Sequence, residues 1–122
     1  MDRGKFTFVD EVYISEEVLA SASALTSVID VGQSGGQFSV QIELSGDGTG
    51  KLEWIGSNDG TDYIKPNGAS DIVTGFTKTD GPGNDGKHIY SFNVIPIKFI
   101  KLKITETGGA DSITVTATLA IQ

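Results

Sequence analysis

Apolar and polar residues alternate one by one along four stretches of the chain, at residues 37–45, 88–94, 100–104 and 113–121. A period of two places successive side chains on opposite faces of a β-strand. The last stretch is the most regular, because Ile, Val, Ala and Leu alternate there with Thr. The pattern therefore predicts four strands that each bury one face.

Weaker patterns predict further strands at residues 5–14, 24–31, 51–55, 63–65 and 71–77, the last at a sheet edge. Glycine-rich turns separate most of these stretches. Gly, Asn and Asp supply the positive φ angles that tight turns need. The spacing of strands and turns is typical of a β-sandwich or β-barrel.

Two connections carry specific predictions. Because only the glycine turn at residues 46–50 separates strand 37–45 from strand 51–55, we expect these two strands to pair as a hairpin. Ser15, followed by Glu16 and Glu17, has the features of a helix N-cap. We expect one helical turn there, the only one in the chain.

Composition supports an all-β domain. The β-branched residues Ile, Val and Thr outnumber Leu and Ala, and branching at Cβ favours strands. The 122 residues contain no linker, so we expect one domain over residues 1–122. We expect its core to be formed by Phe38, Val40, Ile42, Leu44, Leu52, Trp54, Tyr90, Phe92, Val94, Ile100, Leu102, Ile104, Val115, Ala117 and Leu119.

Charge and cysteine content exclude several functions. Nine basic and sixteen acidic residues give a net charge of −7, and nucleic-acid backbones are bound by Lys and Arg. We therefore expect no nucleic-acid partner. The absence of Cys excludes disulfides and thiolate sites. No apolar stretch approaches the ~20 residues of a spanning helix, so we expect no membrane insertion.

Candidate catalytic groups are few. His88 is the one imidazole available as a base, and no nucleophile motif accompanies it. Glu43 and Glu53 lie on the polar faces of neighbouring predicted strands, and glycoside hydrolysis uses a pair of carboxylates. Such pairs are usually solvated faces matched with Lys, so we expect no enzymatic activity.

Acidic residues in the glycine-rich turns raise the question of a metal. We expect no cofactor, because Asp and Asn in such turns usually bond the nearby backbone. If a cation binds, oxygen-rich loops favour Ca²⁺, and the candidate ligands are Asp80, Asn84 and Asp85. The segment does not match the spacing of an EF-hand.

A sugar site is a further alternative. Tyr63 lies beside the turn that contains Asn58 and Asp59, and His88 follows the longest glycine-rich loop. We name Asn58, Asp59, Tyr63 and His88 as candidate ligand-binding residues, provided that loops 57–63 and 78–88 meet. Trp54 shares the parity of Leu52 and is expected in the core.

Two segments resemble discoidin-type modules. In those modules a strand leads into an SNDG turn and an aromatic residue, as Leu52–Tyr63 does here. A later strand of alternating basic and apolar residues corresponds to Lys98–Ile104, although Lys stands where those modules have Arg. The discoidin cysteines are absent. The resemblance implies a galactose-binding-domain-like sandwich and a carbohydrate ligand.

Most of the chain resembles small virion proteins of tailed bacteriophages and prophages. They share the strand pair, the GSNDGT turn, the glycine-rich loop and a last strand of alternating Thr, here Asp111–Gln122. With this resemblance, our fold prediction is a single antiparallel β-sandwich of eight or nine strands, jelly-roll or galactose-binding-domain-like.

The phage resemblance implies a non-enzymatic structural role in head decoration, a head fibre or a tail-associated subunit. We expect a homo-oligomer or docking on other virion proteins, and location in the virion after synthesis in the host cytoplasm without a signal peptide. Candidate contact surfaces are the face of Thr114, Thr116 and Thr118 and the apolar residues Ile95, Ile97 and Phe99. The alternative is a discoidin-like carbohydrate-binding module using loops 57–63 and 78–88.

Overall fold

The structure is a computed structural model that describes the backbone of residues 7–121 and the side chains of residues 17–121. Nine β-strands and no helix occupy the described residues. The strands are β1 (Thr7–Val18), β2 (Ser23–Leu25), β3 (Ile29–Asp30), β4 (Gln37–Ser45), β5 (Gly50–Ser57), β6 (Val73–Phe76), β7 (Lys87–Asn93), β8 (Phe99–Glu106) and β9 (Ile113–Ile121). The prediction of an all-β fold is confirmed.

The strands form two antiparallel sheets that pack face to face. The four-stranded sheet has the order β1-β9-β4-β7, and the other has the order β2-β8-β5-β6, with β3 also paired to β8. Strands β2 and β3 together act as one interrupted strand. Between them the Thr26 hydroxyl accepts the Leu102 N–H at 3.0 Å, where a carbonyl of an unbroken ladder would otherwise stand.

If β2 and β3 are counted as one strand, the chain has eight strands that can be renumbered 1 to 8 in chain order. The sheet orders are then 1-8-3-6 and 2-7-4-5, which is the arrangement of a jelly roll. In this topology nearly every connection crosses from one sheet to the other. Only β5 and β6 are both consecutive and paired. The prediction of an antiparallel β-sandwich is therefore confirmed, and the structure adds the strand order, which alternation along the sequence does not give.

The predicted hairpin of residues 37–45 and 51–55 is wrong. β4 pairs with β7 and β9, whereas β5 pairs with β6 and β8 in the other sheet. Gly48 makes the crossing compact, because a Cβ there would stand 2.6 Å from the Asp111 carbonyl oxygen. Two strands that each bury one face against the other sheet satisfy the same alternation as a hairpin would.

The predicted helical turn at residues 15–19 is also wrong. β1 continues to Val18, which pairs with Ile113 and is buried. The chain turns only afterwards, where Ala22 N–H bonds the Leu19 carbonyl and Ser21 has a φ of 59°. Long-range pairing with β9 outweighs a local cap. The predicted strand at 63–65 is a single bridge between Ile64 and Gly56.

The core lies between the two sheets, and its alternation was predicted well. Of the fifteen predicted core residues, all are buried except Tyr90, Phe92 and Val94, which are half-buried and pack against the core. Trp54, at 4% exposure, is a core residue as expected. The core residues that the sequence analysis missed are Val18, Ile29, Val31, Phe76, Ile113 and Ile121.

Candidate functional site

The fold divides the predicted ligand residues between opposite ends of the sandwich. The first end, here the Gly48 end, carries turn 46–49 and the loop between β6 and β7. The second, here the Asn58 end, carries turn 58–63 and the segment between β7 and β8. β5 joins the two ends, and its eight residues span about 25 Å. Loops 57–63 and 78–88 therefore do not meet, and the predicted shared sugar site is not formed.

Asn58 and Asp59 hold their own turn together. Asn58 Oδ1 accepts the Lys98 N–H at 3.0 Å. Asp59 Oδ1 accepts the N–H groups of Thr61 and Asp62 at 2.8 and 2.9 Å, and also the Ser57 hydroxyl. These backbone hydrogen bonds lower the pKa of Asp59 from 3.8 to about 2. Both side chains are engaged in hydrogen bonds that hold the backbone of this turn and of Lys98 in place.

Tyr63 packs on the outer face of the five-stranded sheet. Lys101 Nζ lies 4.3 Å from the centre of its ring, within the range of a cation–π contact. The Tyr63 hydroxyl is buried without a hydrogen-bond partner. The ring is therefore a packing surface for Lys101 and is not presented as an open sugar platform.

His88 lies at the Gly48 end, on the edge strand β7. Its ring stacks on Tyr90 with the ring centres 4.2 Å apart, and its Nδ1 accepts the Ile89 N–H at 2.8 Å. A shallow depression of about 460 Å³ beside it is bordered by Gln41, Asp85 and Lys87. Neither Asn58 nor Tyr63 lines this depression.

The candidate calcium ligands also shape their loop. Asp80 Oδ2 accepts the N–H and the hydroxyl of Thr77 at 2.9 and 3.1 Å, and Asp85 Oδ1 accepts the Lys87 N–H at 3.3 Å. Asn84 takes the left-handed backbone conformation, with a φ of 54°. In the described part of the chain, no three His, Cys, Asp or Glu residues stand where they could hold a metal. Calcium binding here stays a prediction.

Glu43 and Glu53 lie on the outer faces of opposite sheets, so they do not form a carboxylate pair. Glu43 faces Lys87 at 3.9 Å. Glu53, although only 6% exposed, contacts Lys65 at 3.1 Å and Lys51 at 3.5 Å. Lys65 also bonds Asp71 at 2.6 Å, and this hydrogen bond lowers the pKa of the Asp71 carboxyl. The arrangement ties segment 65–71 to β5.

Glu106 was missed by the sequence analysis, and it organises the Gly48 end. Its carboxylate is 1% exposed and accepts four backbone N–H groups at 2.7–3.1 Å, from Ser21, Thr49, Gly108 and Gly109. These bonds lower its pKa from 4.5 to about 2. A glutamate on the apolar parity of a strand was the signal that the sequence contained.

An open cleft of about 420 Å³ was also missed; we call it the edge cleft. Trp54 and Phe92 line it together with the polar residues Asn67, Ser70, Asp71 and Asn93. It exists because the edge of the five-stranded sheet is interrupted. Residues 65–71 leave the sheet between the Ile64–Gly56 bridge and the hydrogen bond from Ile72 to Leu52. Pro66-Asn67-Gly68 was the sequence signal for this interruption.

The described residues contain no helix of the length and apolarity that a membrane crossing requires. No protein-family model matches the sequence, and no curated protein is similar enough in sequence to count as a relative.

The jelly-roll fold is shared with solved structures at low sequence identity. The structure of VP2 from the infectious bursal disease virus subviral particle has a TM-score of 0.56 and 11% identity over 95% of this chain and 31% of its own. The enzymatically active domain of tailspike protein 4 from bacteriophage CBA120 has a TM-score of 0.56 and 11% identity over 96% and 18%.

A putative sugar-binding protein from Bacteroides thetaiotaomicron has a TM-score of 0.51 and 11% identity over 83% of this chain and 67% of its own. This chain therefore spans less than a third of the two viral proteins and two thirds of the bacterial one. At such identities the comparisons show a common fold. The fold occurs in a virus protein, a phage tailspike domain and a putative sugar-binding protein.

Proposed function

We propose that this chain is a structural subunit of a bacteriophage or prophage particle that acts without catalysis, as a head-decoration, head-fibre or tail-associated protein. It associates with copies of itself or with other particle proteins. The likeness to VP2 of a subviral particle and to a phage tailspike domain supports the structural part of the proposal, because both contain this sandwich within a longer chain.

The observation that carries the proposal is the outer face of the four-stranded sheet. On β4, β7 and β9 this face contains Ser, Thr, Gln, Asn, Ala and one Ile, and its charged residues are Glu43 and Lys87, which face each other. Across β4 and β9, Gln41 pairs with Thr118 and Ser39 with Ala120. The part of this face formed by β4, β7 and β9 thus has no net charge, which is unusual on a chain of net charge −7, and Glu17 of β1 lies at its border. The centres of protein interfaces are depleted of charge in this way.

Fractionation of particles tests this proposal. Particles from a culture that produces the protein are banded on a density gradient, and each fraction is analysed by peptide mass spectrometry. We expect peptides of this chain in the particle band, with a constant ratio to the major capsid protein across the band. Recovery of the chain only at the top of the gradient, apart from the particles, would refute the structural role.

Carbohydrate binding is the second candidate, and the edge cleft is the observation that favours it. Its volume of about 420 Å³ falls within the ~300–1,000 Å³ of small-molecule sites. The hydrogen-bonding residues Asn67, Ser70, Asp71 and Asn93 line the cleft together with the aromatic residues Trp54 and Phe92, a combination that suits saccharides. The likeness to the putative sugar-binding protein adds support.

A glycan array with and without Ca²⁺ tests this second candidate. We expect hits that weaken when Asn67 and Asn93 are both replaced by Ala. The control is His88→Ala, since His88 lies outside the cleft and should leave the hits unchanged. An array without any hits removes the candidate. Hits that depend on Ca²⁺ would return attention to Asp80, Asn84 and Asp85.

A further inference from the structure

The four-stranded sheet ends in two strands, β1 and β7, which run in opposite directions. Its order is β1-β9-β4-β7, and every neighbouring pair is antiparallel. Three antiparallel steps separate β1 from β7. If two copies stand side by side in the same orientation, β7 of one copy therefore meets β1 of the next in antiparallel direction.

β7 has free main-chain groups on its outer side. Main-chain hydrogen bonds join Val94 to Gly36 and Leu44 to Gly86, so the even-numbered residues of β7 bond to β4. Because an antiparallel ladder alternates, the odd-numbered residues direct their N–H and C=O groups outward. Side chains accept two of these N–H groups, Asp85 that of Lys87 and His88 that of Ile89. Among the described contacts, no side chain accepts the N–H group of Ser91 or of Asn93.

The same reasoning applies to β1. If β4 bonds to β7 through its even-numbered residues, it bonds to β9 through its odd-numbered ones, and β9 then bonds to β1 through Val115 and Ala117. Their partners in β1 are Glu16 and Ile14. Ser15, which lies between them, directs its main-chain groups outward.

Charge is segregated between the two edges. β7 contains Lys87, the single His88 and no acidic residue, and Asp85 lies just before it. The sequence of β1 contains Asp10, Glu11, Glu16 and Glu17 and no basic residue. The opposite directions of the two edges, together with Lys87 on β7 and the four acidic residues of β1, favour a second copy of this chain as the partner.

From these observations we infer that copies of this chain associate head to tail by continuing the four-stranded sheet, with β7 of one copy pairing with β1 of the next. Main-chain hydrogen bonds from Ser91 and Asn93 provide the contact, and the opposite charges set its direction. A heterologous contact of this kind closes into a ring when its rotation permits, or continues as an open array. The inference rests on the proposed structural function and specifies its interface.

Three matched serine-to-proline variants of the full chain test the interface. Proline removes an N–H and is tolerated at a sheet edge where that N–H faces outward. Ser91→Pro blocks the β7 edge and Ser15→Pro blocks the β1 edge. Ser23→Pro is the control, because Ser23 lies on the edge of the other sheet, between Ala22 and Ala24, which face β8. Thermal melts establish that each variant is folded.

Sedimentation velocity then gives the mass of each sample. We expect an oligomer for the wild type and for Ser23→Pro, and monomers for Ser91→Pro and Ser15→Pro. An equimolar mixture of these two blocked variants should form dimers, because each supplies the edge that the other lacks. Retention of the full oligomer by Ser91→Pro overturns the inference. Loss of association in Ser91→Pro but not in Ser15→Pro also overturns it, because β7 of one copy would then pair with β7 of another.

Charge reversal provides a second test that leaves the main chain intact. Lys87→Glu and Glu17→Lys should each weaken association, and mixing the two should restore part of it; no change in either overturns the charge argument. A wild type that is monomeric at every concentration overturns the inference as a whole. The particle gradient decides the structural role separately, because a monomer can still be recovered in the particle band.

Discussion

Glu106 illustrates how one side chain can hold several loops. Its two oxygens accept N–H groups from the turn after β1, the turn after β4 and the turn after β8. A carboxylate that accepts several backbone N–H groups is stabilised in its charged form. The pKa of Glu106, about 2 in the folded protein, is therefore below its ordinary value of 4.5.

A pH-dependent loss of stability follows from this pKa. Because the folded-state pKa lies below that of the unfolded chain, Glu106 contributes stability that is complete above pH 4.5 and is lost as the pH falls towards about 2. Asp59 contributes in a similar range, from 3.8 to about 2. Urea unfolding from pH 7 to pH 2 should show the midpoint falling across this window.

Replacement of Glu106 by Gln should lower the urea midpoint at neutral pH and flatten its dependence on pH. The amide has a single acceptor oxygen, so some of the four N–H groups lose their partner. Glu43→Gln is the matched control, since Glu43 is half-exposed and only faces Lys87 at 3.9 Å. Equal effects of the two substitutions would contradict the role of Glu106.

Replacement of Tyr63 by Phe is expected to raise stability, in contrast to the replacement of Glu106. The Tyr63 hydroxyl is buried without a partner, and a buried polar group without a hydrogen bond costs stability. Tyr63→Phe keeps the ring beneath Lys101 and removes that cost. We expect the free energy of unfolding to rise by up to about 1 kcal/mol. A fall of that size in chemical denaturation would mean that the hydroxyl has a partner.

Gly48 lies in the turn between β4 and β5, where close packing leaves no room for a side chain. A Cβ at Gly48 would stand 2.6 Å from the Asp111 carbonyl oxygen and 2.8 Å from Ile113 Cγ2. Gly48→Ala must therefore displace the turn between β4 and β5, at a cost of about 1–3 kcal/mol. Gly83→Ala, where the nearest atoms belong to the Asp85 side chain, should have little effect. Melting temperatures compare the two variants.

At the scale of the strands, the sequence predicts where each strand lies and which face it buries, but not which sheet it joins. Alternation predicted the strands and their buried faces at residues 37–45, 88–94, 100–104 and 113–121, because the period of a strand is a local property. It did not predict which sheet a strand joins. The alternation of β4 and β5 would be the same in a hairpin as it is in two different sheets.

The candidate site was less predictable than the fold, for a related reason. Whether Asn58 and His88 meet depends on which end of the sandwich each turn occupies, and that follows from the strand order. In the sequence, the Asp59 and Asp80 carboxylates, which accept hydrogen bonds from nearby residues, look the same as a carboxylate that binds a ligand, because only their surroundings in the fold tell them apart. The edge cleft requires two strands from different sheets, so no single segment of sequence shows it.

At the scale of the whole molecule, the jelly-roll order makes most pairings long-range. Glu17 and Ser112, for example, are hydrogen-bonded although they are 95 residues apart. Proteins dominated by such contacts fold in milliseconds to seconds, because loop closure is costly before the contacts form. Trp54, the one tryptophan of the chain and a buried one, is a probe for this process.

Stopped-flow refolding followed by Trp54 fluorescence should therefore show a main phase in the millisecond-to-second range. Ile104→Ala, in the centre of the core, should lower the free energy of unfolding by about 2–5 kcal/mol. Complete recovery of fluorescence within microseconds would contradict a fold assembled from long-range pairs.

The position of β9 between β1 and β4 has a consequence for synthesis. β1 leaves the ribosome roughly a hundred residues before the strand that pairs with it. At about 5–20 residues per second, the nascent chain spends on the order of ten seconds without that partner. During translation, β1 and β4 therefore both lack the strand that pairs with them. A protein that shields nascent strands would act on them in this interval, before β9 is made.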